Sequence, residues 1–81
     1  MQQYPFLAED RDEDMTPGNR ALAIHDIVRF RTAVVEAGTL GRVVEVDDRA
    51  VTQFTIQFEL PSLNGATITV PHLTELDVRQ I

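Results

Sequence analysis

The chain has 81 residues, enough for one domain with a thin hydrophobic core. It has no cysteine, so disulfides, thiolate nucleophiles and zinc–thiolate sites are excluded. Thirteen acidic residues stand against seven basic ones, all arginine, and the net charge of −6 makes nucleic acid or an anionic membrane an unfavourable partner.

The first 20 residues differ in kind from the rest. They include an acidic run at residues 9–14 and show no apolar periodicity. Because a block of like charges usually stays solvated, we predict a flexible, disordered acidic tail over residues 1–20 and one folded domain over residues 21–81. Alternatively, the aromatic and apolar residues 4–7 form a short binding motif or dock onto the domain.

The sequence also bears on where the protein is found. No apolar run approaches the roughly 20 residues that span a bilayer. The N-terminus has no basic region followed by an apolar one, as a secretory signal would have. We therefore expect a soluble cytoplasmic protein with no membrane partner.

The domain begins with a segment of uncertain type and a first strand. Residues 21–24 fit either a lead-in strand or one helical turn. Residues 26–31 alternate in polarity and predict a strand that buries Val28 and Phe30 and exposes Arg29 and Arg31. Residues 32–40 are expected to form a loop.

Three further strands follow, separated by turns. Residues 42–46 predict a strand of less clear sidedness, as expected when both faces of a curved strand are partly covered. The strictly alternating residues 54–60 predict a half-buried strand, with a polar turn at 47–50 between the two. Asn64 and Gly65 tolerate positive φ and favour a hairpin turn. Residues 67–70 then form a strand that we expect to end at Pro71, because proline cannot donate to a β-ladder.

The C-terminal residues complete the pattern. Residues 71–75 fit a short 3-10 turn, and residues 76–79 fit a closing strand. Five short strands with turns between them predict an all-β fold closed into a barrel. The predicted core is Val28, Phe30, Val43, Phe54, Ile56, Phe58, Ile68, Val70, Leu73, Leu76 and Val78.

The order of these features carries a resemblance. His25 to Arg29, a loop, Gly38-Thr39-Leu40-Gly41-Arg42-Val43-Val44, and the strand with Phe54, Ile56 and Phe58 resemble the SH3-like small β-barrel superfamily. Within it the chain is similar to KOW-type modules and to a small bacterial family of single-barrel proteins. The resemblance implies a five-stranded SH3-like barrel over about residues 22–81 and, from KOW-type modules, binding to nucleic acid.

Candidate catalytic and metal-binding residues are few. His25 and Asp26 could form a base with its orienting partner, but neighbours on a strand point to opposite faces. We therefore expect Asp26 to bond backbone amides in a turn with His25 at its rim. His72 lies near Glu75 and Asp77, yet the spacing fits no metal signature. We predict no catalytic residues, no metal and no cofactor.

The pattern of glycines and arginines predicts structural and electrostatic roles for these residues and no catalytic role. Gly38 and Gly41 precede a strand instead of a helix, which favours a role in backbone geometry and close packing over phosphate binding. Arg29 and Arg31 share a face that Arg42 could join. Such a patch either pairs with acidic residues (Glu45, Glu59 and Asp77) or forms a docking face for an anion.

The first choice for function is a non-enzymatic protein-interaction module, acting as an accessory or regulatory subunit. Val34, Val35, Leu40 and Leu63 are apolar residues in predicted loops with no predicted core role, so we expect them to contact another protein or a second copy. The alternative is a KOW-type nucleic-acid-binding module that uses Arg29, Arg31, Arg42 and Arg49, against which the acidic composition argues.

Overall fold

A computed structural model describes residues 15–81, so the predicted acidic run and the motif at residues 4–7 lie outside the described residues. Within this range the chain is all-β, as predicted. None of its described segments is a helix that could cross a membrane. The strands are β1 (Arg20–Ala23), β2 (Ile27–Arg29), β3 (Thr32–Val35), β4 (Leu40–Asp47), β5 (Gln53–Leu60), β6 (Ala66–Leu73) and β7 (Val78–Gln80).

The strands form two antiparallel sheets. The larger has the order β6-β5-β4-β1-β7, and the smaller is the β2–β3 hairpin. β6 and β7 lie at the two edges of the larger sheet, so its pairing is that of an open sheet rather than a closed barrel. The ambiguous segment 21–24 is a strand, and it lies between β4 and β7.

One face of the larger sheet forms the core, and the hairpin contributes to it. Across the strands, Ala21 pairs with Gly41 and Gly41 with Phe58, so small residues leave room for the ring. The core residues are Met15, Ala21, Ala23, Ile27, Val35, Val43, Phe54, Ile56, Phe58, Val70, Leu73 and Val78, with Ile68 partly buried against them. The alternation in residues 54–60 therefore predicted the inward face correctly.

Met15 and Arg20 show that the folded part begins before residue 21. Met15 is buried in the core, and the Gly18 N–H donates to the carbonyl of Val43 at 2.8 Å. β1 starts at Arg20. The folded part therefore includes residues that the predicted boundary after residue 20 assigned to the tail.

The prediction for the first strand is wrong by one residue. β2 buries Ile27 and exposes Val28. The predicted faces are therefore exchanged, since a shift of one residue moves every side chain of a strand to the other face. β2 also ends at Arg29, and Phe30 and Arg31 form the hairpin turn with φ of 54° and 69°. Phe30 is consequently 99% exposed and does not belong to the core.

The predicted loop at residues 32–40 contains β3. This strand pairs with β2 through an irregular register that carries one extra residue, and Val35 pairs with Ile27. Both side chains lie in the core, and Val35 is only 1% exposed. The expectation that Val35 lies on a loop as a contact residue is therefore wrong, because an apolar pair across the hairpin buries it.

Pro71 does not end its strand, contrary to the prediction. β6 continues to Leu73 because Pro71 and His72 together face Thr55 across a β-bulge, where proline is tolerated. His72 has a φ of 64° at this point. β4 bulges at Val44 opposite the same threonine. Bulges on both flanking strands bend the sheet at Thr55.

The short 3-10 helix also lies elsewhere than predicted. It covers Pro61–Leu63 in the β5–β6 connection, followed by Asn64 and Gly65 with the positive φ angles that the sequence indicated. The segment before β7 is a single turn, in which the Asp77 N–H donates to the Thr74 carbonyl at 2.9 Å. Leu76 is exposed in this turn and is not a core residue.

Candidate functional site

A groove of about 610 Å³, lined by both apolar and polar residues, opens on the surface where two connections come together. One side is formed by the end of β3 and the loop to β4, and the other by the end of β5 and the 3-10 helix. Its lining residues are Ala33, Val34, Glu36, Ala37, Gly38, Thr39, Leu40, Glu59, Leu60, Pro61 and Leu63. We refer to this feature as the groove.

Short hydrogen bonds fix the β3–β4 side of the groove. The Asp26 carboxylate accepts a bond from the Ala37 N–H at 2.8 Å, and the Gly38 N–H donates to the Ala23 carbonyl at 2.7 Å. Gly38 has a φ of 91°, which a residue with a side chain rarely adopts. This loop therefore has a defined shape and presents Leu40 at the start of β4.

The β5–β6 side of the groove is shaped by proline and asparagine. Pro61 occupies the start of the 3-10 helix, where its missing N–H has no helical partner to lose. Asn64 ends the helix in the left-handed conformation, and its N–H donates to the Pro61 carbonyl at 3.2 Å. Leu63 is held between them and remains 58% exposed.

Two carboxylates give the groove its charge. Glu36 and Glu59 are both exposed, and each contributes to the lining. Within residues 15–81 the ion pairs are His25 with Asp77 and Arg49 with Asp47, so neither glutamate forms an ion pair with a described arginine, although Glu59 shares a neighbouring depression with Arg20 and Arg42. The groove therefore combines aliphatic surface with negative charge.

Three of the four predicted apolar contact residues meet in this groove. Val34 is half-buried along its wall, while Leu40 and Leu63 are 45% and 58% exposed. Leu40 and Leu63 are far apart in the sequence and come together because β4 and β5 are paired. Val35, the fourth, is buried behind the hairpin.

The predicted arginine patch is divided between two places. Arg29 donates from its guanidinium to the carbonyls of Val28 and Pro71, both at 3.0 Å, which ties the hairpin to β6. Arg42 instead donates to the Gly18 carbonyl at 2.9 Å, beside β1 and on the other side of β4 from β6.

The remaining arginines complete the charge distribution. Arg31 lies in the exposed hairpin turn, and Arg49 pairs with Asp47 at 2.6 Å. None of Glu45, Glu59 and Asp77 forms an ion pair with an arginine in the described part of the chain, contrary to the predicted pairing. Arg42 lies opposite Arg20 across the β1–β4 pair, a neighbour that sequence reasoning missed.

The two histidines form separate hydrogen bonds. His25 Nδ1 faces the Asp26 carbonyl at 2.7 Å and Nε2 faces Asp77 Oδ1 at 2.9 Å, while His72 Nδ1 lies 3.1 Å from Gln53 Oε1. The Asp26 carboxylate bonds a backbone amide, as predicted. Residues 15–81 contain no group of three or more side chains arranged to hold a metal.

The environment of His25 predicts a pH-dependent contribution to stability. The Asp26 carbonyl and, after it, the Asp77 carboxylate raise the pKa of His25 above its ordinary value of 6.5, because both ring nitrogens can donate only in the imidazolium form. A group whose pKa is higher in the folded state than in the unfolded state stabilises the folded protein. This contribution is fully present below the unfolded-state pKa and is lost as the pH rises through the folded-state pKa.

We therefore expect the free energy of unfolding to fall with increasing pH above about 6.5, measured by urea denaturation. His25→Gln should remove this part of the pH dependence. In an NMR titration, Asp77→Asn should lower the His25 pKa but leave the part that comes from the Asp26 carbonyl. A His25 pKa at or below 6.5 in the wild-type protein would contradict the expectation.

Comparison of the chain with protein-family models, with curated proteins and with solved structures finds no match. What is established is an all-β domain with two antiparallel sheets. The groove between two loops is a concave feature of its surface.

Proposed function

We propose that the protein is a non-enzymatic protein-interaction module of SH3-like type, an accessory or regulatory subunit that binds its partner in the groove. The observation that carries the proposal is the convergence of Val34, Leu40 and Leu63, from three separate segments, on one concave surface. Exposed aliphatic side chains grouped in this way are typical of interaction sites rather than of scattered surface residues. The bend of the sheet at Thr55 supports the SH3-like interpretation.

The chemistry of the groove defines the partner. Val34, Leu40 and Leu63 favour an apolar side chain, and the carboxylates of Glu36 and Glu59 favour a cationic one next to it. The partner is therefore a protein segment that presents an apolar residue flanked by arginine or lysine.

The arginines support the nucleic-acid alternative less well. Arg29 is anchored on β6 and Arg42 beside β1, while Arg49 is paired with Asp47. A polyanion needs several cations along one track, because each contacted phosphate adds to the affinity. The net charge of −6 acts against the same partner at long range.

Peptide selection tests the proposed site. From a random peptide library, the protein is expected to select sequences with an apolar residue flanked by arginine or lysine. Leu63→Ser should weaken a selected peptide by at least tenfold, since burying a leucine side chain contributes about 1.5–3 kcal/mol. Calorimetry measures the affinity.

Val51→Ser is the matched control, because Val51 is 60% exposed but lies outside the groove. Its affinity for the peptide should equal that of the wild-type protein. Equal losses in the Val51 and Leu63 variants, or selection of acidic peptides, would overturn the proposal.

A further inference from the structure

The tip of the β2–β3 hairpin presents an aromatic side chain at an unfavourable backbone geometry. Phe30 and Arg31 both have positive φ, as in a type I′ turn, where asparagine and glycine are the favoured residues. For a bulky residue such a conformation is strained. Phe30 nevertheless stands there with 99% of its surface exposed. Strain and an exposed aromatic at one position point to a functional constraint.

The same tip is positively charged. Arg29 and Arg31 flank Phe30, and neither forms an ion pair with a carboxylate of the described residues. The guanidinium of Arg29 is held by the carbonyls of Val28 and Pro71, whereas Arg31 is exposed. The hairpin therefore presents an aromatic ring next to the exposed cation of Arg31, and we call this feature the tip.

The tip matches the chemistry required of a partner for the groove. The groove supplies aliphatic walls and the carboxylates of Glu36 and Glu59. We propose that the tip of one molecule occupies the groove of a second copy of this chain. In this contact Phe30 packs against Leu40 and Leu63, and Arg31, the exposed arginine of the tip, faces the glutamates. This inference rests on the proposed function, because it names the partner of the same groove.

The dimensions are compatible with this contact. A phenylalanine buries about 150–250 Å² at an interface. The groove, with a volume of about 610 Å³, has room for the ring and parts of the flanking side chains. The exposure of Phe30 shows that the tip does not occupy the groove of its own molecule.

The positions of tip and groove on one hairpin favour a closed dimer. The tip precedes β3, and the lining of the groove begins at Ala33 in the same strand, so tip and groove adjoin on one hairpin. Two antiparallel copies can therefore each place their tip in the other's groove. Such a reciprocal contact is isologous and closes at two subunits.

A nucleic acid is the competing occupant of the tip, since bases stack on aromatic side chains next to arginine. The observations favour a protein surface. The tip offers one aromatic residue, and the whole chain carries a net charge of −6. The groove provides the two carboxylates that the tip lacks.

Sedimentation velocity of the full chain tests the proposal from 10 μM to 1 mM. We expect a concentration-dependent monomer–dimer equilibrium. Phe30→Ala, and separately Leu63→Arg, should each lower the association constant at least tenfold. The double variant Phe30→Asn/Arg31→Gly should also be monomeric while folding as well as the wild-type protein, because it installs the favoured turn residues. Loss of association in this variant therefore cannot be attributed to unfolding.

Mixing the two single variants provides a complementation test. The Phe30→Ala protein retains a groove and the Leu63→Arg protein retains a tip, so their mixture can form one of the two contacts. We expect the mixture to associate more strongly than either variant alone. Failure of the mixture to do so, or a dimer that is unaffected by Phe30→Ala, would overturn the tip-in-groove arrangement.

Three other results would overturn this inference, and together they distinguish its failure from that of the proposed function. A wild-type protein that is monomeric at 1 mM but still binds basic, apolar peptides in the groove would reject only self-association. Binding of a fluorescent single-stranded oligonucleotide that is lost with Phe30→Ala would assign the tip to nucleic acid instead. Failure of both peptide binding and dimerisation would remove the groove as a site.

Discussion

Replacing Phe58 with alanine is expected to lower the free energy of unfolding by about 3–5 kcal/mol. The side chain is fully buried, and it packs across the sheet between Gly41 and Ile68. Alanine would leave a cavity that these strands cannot fill, because their backbones are fixed by hydrogen bonds on both sides. A domain of this size has a small total stability, so part of the variant population should be unfolded at 25 °C.

Phe30→Ala is the matched control for this substitution. It removes the same atoms from a side chain that is 99% exposed, and the expected change is within about 0.5 kcal/mol. Urea denaturation of both variants, followed by far-ultraviolet circular dichroism, measures the difference. Similar losses in the two variants would contradict the placement of Phe30 at the hairpin tip.

Gly41→Ala is expected to destabilise the protein by about 1–3 kcal/mol. A Cβ at this position would lie 2.8 Å from the carbonyl oxygen of Gln57 and 2.8 Å from the side chains of Ile56 and Phe58. The nearest groups are a backbone atom in a ladder and two core side chains, so none can move freely. The expected loss arises from overpacking, since Gly41 does not have a positive φ.

Arg42→Ala tests the neighbouring position on the opposite face of β4. Its side chain is exposed and bonds only the Gly18 carbonyl among the described residues, so the expected loss is smaller than that for Gly41→Ala. A combined Gly41→Ala/Phe58→Leu variant should recover part of the stability, because leucine gives the added methyl group space. Strictly additive losses in the combined variant would contradict the steric explanation.

The sequence predicted the central strands well because their local signals agree. Residues 54–60 alternate without a break, and β5 has Phe54, Ile56 and Phe58 on its buried face. Asn64 and Gly65 likewise adopt the positive φ that their residue types allow. In these places local preference and tertiary packing select the same conformation.

The hairpin was predicted less well because it departs from local preference. The residues favoured in a type I′ turn are absent, so Phe30 and Arg31 gave no turn signal and the strand was extended through them. That slip placed Val28 inside and left β3 unrecognised. The bulge that lets β6 pass Pro71 depends on its pairing with Thr55, which no local pattern encodes.

The candidate site was predicted in part for a similar reason. Val34, Leu40 and Leu63 were identified because they are apolar residues in predicted loops and had no predicted role in the core. Apolar residues in a loop are expected to be exposed. Their convergence, and the addition of Glu36 and Glu59, depend on the register between β4 and β5. His25 and Asp77, 52 residues apart, meet for the same kind of reason.

The bulged outer strand β6 bears on how copies of this chain can assemble. An unbroken strand at the border of a sheet offers a row of amide donors to which another polypeptide can add, the first step toward fibrils. Pro71 lacks a donor, His72 turns the backbone away, and Arg29 occupies the Pro71 carbonyl. A second molecule therefore cannot readily add a strand along β6, even at high protein concentration. Contacts between copies at this edge must be made by side chains instead of backbone hydrogen bonds.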